Sequence, residues 1–573
     1  MPVTDRANRT ERPTDWHSVN WRKANRQVRN LRQRIFRATQ DGDWDKVQSL
    51  QRLMLRSYAN TLVSVRRVTQ VNRGRNTAGI DKLVVKTPDA RGRLVDHLRT
   101  GRPWTAKPAK RVYIPKANGR LRPLGIPSVL DRCHQARVKN ALEPSWEARF
   151  EGTSYGFRPG RGCHDAIARV FTVAHPRTHK MWVVDADIQG AFDHISHDHV
   201  LNAIGPFPAK DLIRQWLKAG YVDKGVFHAT ETGSGQGAVI SPLLANIALH
   251  GMEAALGVTH TAQGRLSGQR VVVKYADDFV VFCTSRDDAD TVVGLLTEWL
   301  SVRGLTLSPD KTRIVSLTEG FDFLGFTVRR YPVLRTRTGY KLLITPSKES
   351  VQRVRQRLRD EWRHLRGHNV DVVLRKLNPI IRGWATYFRI SVAATTFRSL
   401  DHWMLGREIR YVNHRHPHKP NAWRRARYWG KLHPTRGDTW VFGDTRTGSS
   451  LQRFAWSTIE RHVLVRGTAS PDDPRLQAYW RARTAAKAKD LSHRKQTLAQ
   501  KQDYICQRCR ETLFNDEELH QHHRQPRAQG GPETDANLEL THLYCHQQIH
   551  GDGPTRVPLA HEPTRKWLRK WLA

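Results

Sequence analysis

Two short segments of this chain carry carboxylates at the ends of apolar runs. Tyr275-Ala276-Asp277-Asp278 lies between Val271–Val273 and Phe279–Phe282, and Trp182-Val183-Val184-Asp185-Ala186-Asp187-Ile188 leads into Gly190-Ala191-Phe192-Asp193. Apolar β-branched and aromatic runs broken by Ala-Asp-Asp predict a hairpin that holds the carboxylates at its turn. A second strand ending in Asp187 is then placed to share a pair of divalent ions with Asp277. Two ions held between carboxylates stabilise both the attacking and the leaving oxygen of an in-line phosphoryl displacement, the chemistry of nucleotidyl transfer. A lone acidic turn is more often just solvated. Here the turn sits between two hydrophobic strands, and the upstream strand also ends in aspartate.

A second chemically capable group lies near the C-terminus. Cys506-Gln507-Arg508-Cys509 is matched by His542-Leu543-Tyr544-Cys545, two knuckles with the spacing of a tetrahedral zinc site. Four protein ligands leave no open position, so Cys506, Cys509, His542 and Cys545 predict a structural ion. Interleaved with them are His522, His523, Asn537, His546 and His550, of which His546 and His550 are four apart and share one helix face. A zinc module that only binds DNA would account for the cysteines but not for this second histidine set. His520 beside the cluster reads as a surface residue. Cys133, Cys163 and Cys283 are scattered and read as free buried thiols, so disulfides are not indicated.

The elements around these groups are strongly basic. The 573 residues include 96 Lys+Arg against 53 Asp+Glu, a net charge of +43. Such an excess calls for a polyanionic partner, and nucleic acid fits it through phosphate contacts and counterion release. No apolar run approaches the roughly 18 residues of a membrane span. The polar start Met1–Trp16 has no apolar signal-peptide core, which predicts an intracellular, cytoplasmic setting. The length exceeds one core and predicts roughly three to five units.

Trp21–Ala38 carries Arg22, Lys23, Arg26, Arg29, Arg32, Arg34 and Arg37 with no acidic residue, while Val28, Leu31 and Ile35 mark one helical stripe. This predicts an amphipathic helix with a phosphate-facing surface. Arg111–Lys116 alternates as a strand, Asn118-Gly119 signals a turn, and Arg120–Pro127 returns, forming a hairpin that offers Lys116, Arg120 and Arg122. Val351–Arg366 predicts a basic-sided helix on an apolar face of Leu358, Trp362 and Leu365. Arg415–Tyr428 interleaves basic and aromatic residues in a manner suited to structured RNA. Arg481–Arg494 reads as a polar connector, helical or flexible.

Asp187-Ile188-Gln189-Gly190-Ala191-Phe192-Asp193 with Tyr275–Asp278 resembles the palm of a reverse transcriptase, specifically the group II intron type. The likeness runs in order from Asn76–Asp81 through Ser154–Arg161, Gly235-Gln236-Gly237, Gly304–Thr312 and Phe323–Phe326. Leu377–Phe388 resembles the maturase domain of the same proteins, and the C-terminal histidine pattern with Gly530-Gly531 resembles an HNH nuclease.

The resemblance implies an α+β multidomain chain with right-hand fingers and palm, a helical thumb (the maturase X domain) and a small ββα-metal HNH zinc domain. The implied boundaries are 1–75 for a basic extension, 76–345 for fingers and palm, 346–465 for the thumb, 466–500 for a basic DNA-binding connector and 501–573 for the nuclease. Asp187, Asp277 and Asp278 would hold Mg²⁺. Lys116, Arg120, Arg122, Arg158 and Lys311 would meet triphosphate or primer, with a structural salt bridge as the alternative for Arg158. Gln236 and Gly237 would grip the template, and the family's usual proline is here Gly235. Phe192 would stack under the incoming sugar and select deoxynucleotides, or else be plain core.

In the nuclease, His522, His546 and His550 would hold Mg²⁺ or another divalent ion, His523 would be the general base, and Asn537 would orient it. Arg524 stands where the family usually has an apolar residue. The implied role is that of a ribonucleoprotein component. It would assist splicing of its intron RNA, nick target DNA, and copy the RNA from dNTPs by target-primed reverse transcription. Alternatives are a defence- or CRISPR-associated reverse transcriptase and a non-enzymatic splicing cofactor.

Overall fold

The valine-rich runs form the centre of the fold. In a computed structural model that describes residues 13–100, 103–115, 119, 121–261, 266–433, 435–515 and 517–551, four antiparallel strands line up in the order Arg313–Ser316, Trp182–Asp187, Asp278–Cys283 and Val271–Tyr275. Val184, Ala186, Val272, Phe279 and Val281 face one hydrophobic core, while Val183, Val271, Val273, Val280 and Phe282 face another. Burial on both faces explains why these strands read as unbroken apolar runs, with the period of two deciding only which core each residue enters.

The first core is built with the helices Trp21–Gln40, Trp44–Arg56, Tyr58–Arg66 and Val129–Glu147. Asn20, Asp43, Ser57 and Ser128 cap their N-termini by accepting backbone N–H groups. The same core extends into the C-terminal module through Leu498, Leu538 and Leu540. The second core joins the sheet to the helices Lys348–His364, Val370–Phe388 and Ala394–Arg415. The finger hairpin pairs Ala109–Pro115 with Leu121–Ile126 and closes at Pro115 opposite Leu121. Lys116 and Arg120 lie outside the described residues.

Two expectations change. The helix Trp21–Gln40 forms, but the acids missing from its own sequence arrive from elsewhere. Arg32 donates to Asp472 at 2.8 and 2.7 Å and to Glu143 at 2.9 Å, and Arg29 pairs with Glu511. These two arginines fasten domains together, and the outward face is left to Arg22, Lys23, Arg26, Arg34 and Arg37. The basic connector is helical over Gln477–Ala486 and His493–Lys501, and it is not a free basic surface. Arg483 pairs with Asp165 at 3.0 Å, Lys489 with Glu460 at 3.1 Å, and Arg494 with Asp535 at 2.9 Å.

A small sheet, Trp429–Gly430, Val441–Asp444 and Ser449–Ser450, follows the thumb helices and was not anticipated. Asn378 ties it to the second thumb helix by donating to Ser450 O and accepting from Gln452 N. Among the described residues no helix is long and apolar enough to cross a membrane.

Candidate active sites

The strand register puts Asp187 directly opposite Asp278, and Tyr275 opposite Asp278 closes a two-residue turn of Ala276 and Asp277. Ala276 sits in the left-handed region at φ 61°. That is a strained place for an L-residue, of the kind found where a turn must aim a functional side chain. Asp185, Asp187, Asp277, Asp278 and Asp310 line one open cleft of about 510 Å³ together with Lys311 and Arg313.

The carboxylates crowd one another. Burial, then Asp187, Asp185 and Asp277, push Asp278 up from 3.8 to about 7. Asp277 is raised by burial and by Asp187. The ammonium of Lys311 lies 2.5 Å from Asp187 Oδ2, and Arg313 lies 3.0 Å from Asp185 Oδ2. A cleft in which Asp185, Asp277 and Asp278 are raised, and which draws in an exposed lysine, fits a divalent cation, because hard oxygen donors and excess negative charge are what such ions require.

This crowding has a measurable sign. Between about 4 and about 7 the folded state holds the Asp278 proton more tightly than the unfolded chain, so stability falls as pH rises through that window. In chelator, the melting temperature of the wild type is expected to drop across that range more steeply than that of Asp278→Asn. Differential scanning calorimetry at matched ionic strength checks this, and parallel profiles would show that Asp278 does not titrate there.

The turn is braced from behind by Ser154–Arg161. Tyr155 N donates to Lys274 O at 2.9 Å, Lys274 N donates to Thr153 O at 3.0 Å, and Asn246 Nδ2 holds Gly156 O at 2.9 Å. A Cβ on Gly156 would lie 2.3 Å from Ala276 N. Gly156→Ala is therefore expected to displace the turn, destabilising the protein by ~1–3 kcal/mol and slowing primer extension on the order of 10-fold. An unchanged rate would mean that the turn tolerates displacement.

Arg158 is a correction. Its Nε and Nη2 donate to the two carboxylate oxygens of Glu147 at 3.1 and 3.0 Å, and its Nη1 donates to Glu151 O and Ser154 O. With its side chain fully buried, it is a structural ion pair that cannot reach a phosphate.

Arg122 Nε donates to Gln236 Oε1 at 2.9 Å, so the return strand of the fingers touches the Gly235–Gly237 loop. Gly235 has φ +64°, which proline cannot adopt, and Gly237 has φ +109°, where a Cβ would lie 2.7 Å from Gly125 O. The replacement of the family's proline thus belongs to a turn of different backbone shape. Phe192 follows the left-handed Gly190 and packs edge-on to Phe157 at 6.2 Å. It is buried, yet it also lines a cleft of about 390 Å³ with Gly233, Ser234 and Gly235, so the core and substrate-facing readings are compatible.

In the C-terminal module Leu519–His523 pairs with Leu538–His542, followed by the helix Leu543–Gly551. This ββα unit gathers two ligand sets. Cys506, Cys509, His542 and Cys545 are all buried with ligand atoms within 4.8 Å of one another. His542 Nε2 is 3.0 Å from Thr512 O, a donor position that turns Nδ1 toward the thiols, 3.4 Å from Cys509 Sγ. The set fits a structural zinc ion. Arg66 was not foreseen here. It lies over the Trp21 ring at 4.6 Å, donates to Cys545 Sγ at 3.4 Å, and pairs with Glu517 at 3.2 Å.

His522, His546 and His550 form the second set. His546 is depressed to about 4, by burial first and then by His550 and His522. Three imidazoles turned to one point fit a divalent ion. His520 is not a plain surface residue, because its ring packs 5.3 Å from His546.

Asn537 is the second correction. Its Oδ1 accepts from Gln525 N at 2.8 Å, and its Nδ2 donates to Gln525 O and Pro532 O at 3.0 and 2.9 Å. It pins the loop between the strands. One side chain that does touch His523 is Glu533, with Oε2 2.9 Å from Nε2. Arg527 pairs with Glu533 and lies 3.2 Å from the same nitrogen. Arg524 is accommodated by Glu539 at 3.3 Å.

Comparison with known proteins yields four family matches in chain order. These are the N-terminal domain of reverse transcriptase at residues 16–98, reverse transcriptase (RNA-dependent DNA polymerase) at 114–328, the group II intron maturase-specific domain at 351–429, and HNH endonuclease at 506–552. Protein YkfC of Escherichia coli is 33% identical over 325 residues, covering 50% of this chain and 84% of YkfC. The uncharacterized 91 kDa protein in the cob intron of Schizosaccharomyces pombe is 29% identical, over 49% of this chain and 43% of that protein. The group II intron-encoded protein LtrA of Lactococcus lactis is 34% identical over 213 residues, 36% of this chain and 35% of LtrA. The match to the latter two thus spans less than half of their length.

Proposed function

The chain belongs to the reverse transcriptase–maturase family of group II intron-encoded proteins and carries an HNH endonuclease domain, and we propose that it performs the full cycle of intron mobility on its own RNA. It binds and helps splice the intron RNA, travels with it as a ribonucleoprotein, nicks target DNA, and copies the RNA from dNTPs at the exposed 3′-hydroxyl. The observation that carries this reading is the presence of two separate cation-demanding centres, an aspartate cleft and a histidine cluster, on either side of a maturase domain.

The division into 1–75, 76–345, 346–465, 466–500 and 501–573 is kept as the working organisation, although the hydrophobic cores cross its borders. In the palm, Asp187 and Asp277 with Asp278 would hold Mg²⁺. When bound, the ions neutralise phosphate charge and favour the 3′-alkoxide. Phe192 would floor the sugar and leave no volume for a 2′-hydroxyl. Gln236 orients Arg122 toward the nucleotide side of the fingers, and Lys311 would exchange Asp187 for phosphate oxygens.

In the nuclease, His522, His546 and His550 would hold a divalent ion. Glu533 and Arg527 hold the Nε2 edge of His523; in the tautomer whose Nε2–H points to Glu533, Nδ1 would take the proton from water. His523→Ala is expected to lower second-strand nicking by ~10²–10⁴-fold while primer extension on a pre-nicked duplex continues. Normal nicking by that variant would leave the tail as a DNA-binding zinc module.

A further inference from the structure

A cavity of about 190 Å³ opens between the thumb helix Ala394–Arg415 and the small sheet that follows it. Its walls include His402, Glu408, Trp440, Phe442, Gln452 and Arg453. This is below the roughly 300 Å³ at which pockets for whole drug-sized ligands begin, and it suits one flat group.

The polar content of the cavity is lopsided. Asp401 at its edge is fully used, accepting Phe454 N and Ala455 N at 2.8 and 2.9 Å. Glu408 is not. It is buried, and the hydrogen bond it receives from Trp429 Nε1 is long, at 3.3 Å. Burial raises its carboxyl to about 7, the mark of an acid short of donors.

The mouth supplies an aromatic plane and positive charge. Trp440 is 42% exposed and is stacked on Trp429 with rings 5.8 Å apart at 20°. Arg425 lies 5.7 Å from its ring, and Arg453 donates to its carbonyl.

We propose that this cavity is a guanine pocket. A base unstacked from RNA, or the base of a free guanine nucleotide, would enter against Trp440 and give its edge to Glu408. The choice of base follows from donor counting. The ionised Glu408 carboxylate only accepts, and two donors placed against it favour that form over the protonated one. Guanine presents N1–H and N2–H₂ side by side, whereas adenine, cytosine and uracil each set acceptors beside their donor. Stacking on an exposed tryptophan with arginines nearby for the phosphate is how single-stranded bases are held.

The RNA source rests on the function proposed above, whereas the nucleotide arm of the test does not. Binding of GMP, IMP and AMP, and of single-stranded RNAs that differ only in one guanosine, to the full chain is measured by calorimetry. GMP is expected to bind about 10-fold more tightly than AMP, with IMP, which lacks the 2-amino group, between them. Glu408→Gln should erase the difference between GMP and AMP without changing the melting profile or primer extension. Trp440→Ala, followed by calorimetry, should weaken every nucleotide.

A gain from the guanosine in RNA identifies RNA as the source, and a gain with GMP alone identifies a free nucleotide. Both uphold the guanine chemistry. Equal binding of GMP and AMP, or an unchanged preference in Glu408→Gln, overturns it. If no RNA binds at all while GMP does, the RNA-binding reading fails and the pocket stands.

Discussion

Asp277→Ala is expected to remove cDNA synthesis, with a loss on the order of 10³-fold or more. Loss of one preorganised hydrogen-bond donor in an active site already costs about 10²–10³-fold, and here an entire ligand of a shared charge site is deleted. The fold should survive, because Asp277 lies at the tip of the turn, where the hairpin pairing is already closed by Tyr275 and Asp278. Removing one of several crowded carboxylates also relieves repulsion that raises Asp278 toward 7. The variant should therefore melt no lower than the wild type in chelator while failing to extend a DNA primer on an RNA template. RNA binding and nicking should be retained. Residual extension near the wild-type rate would remove the aspartate cleft from its role.

Cys506→Ser should produce the second large effect. Structural zinc supplies ~10–16 kcal/mol of apparent binding free energy in small modules that fold only with metal, and Cys506 is one of four buried ligands. The consequences should extend beyond the module. Arg66 bridges Cys545, Glu517 and Trp21, Tyr544 donates to Gln70 O at 2.8 Å, and Gln548 Nε2 reaches Val19 O at 3.2 Å. Without the knuckle, the guanidinium of Arg66 stays buried with fewer partners, a costly state. The variant should lose zinc by metal analysis, become protease-sensitive beyond Lys501, lose nicking, and lower the first melting transition of the N-terminal helices. Loss of zinc with an intact protease pattern would show that the module folds without its ion.

The parts of this molecule legible in its sequence are those fixed by local periodicity or ligand spacing. The aspartate hairpin announced itself because two-sided burial leaves unbroken apolar strands interrupted only at the turn. The zinc knuckles did so because tetrahedral coordination constrains spacing to a few residues. What stayed hidden depends on partners far away in the chain. Arg32 meets Asp472 across 440 positions and Arg66 meets Cys545 across 479, so neither a basic helix nor a basic connector reveals which of its charges are already spent.

Arg158 is instructive because its partner Glu147 is only 11 residues away. The two are separated by a turn whose path no periodicity encodes. Glu533 was missed for the same reason, lying 10 positions from His523 across the Gly530-Gly531 loop. The small sheet after the thumb has strands of two to four residues, too short for alternation to register.

The most direct test of the whole account follows both DNA strands in one reaction. Ribonucleoprotein assembled from this chain and its intron RNA is given target DNA labelled at the strand to be nicked, with dNTPs and Mg²⁺. The account predicts cDNA covalently continuous with the 3′ end created by the nick. Asp277→Ala should nick without extension, and His523→Ala should extend only when the nick is supplied. cDNA formed without linkage to that 3′ end, or extension by His523→Ala on intact DNA equal to that of the wild type, would contradict it.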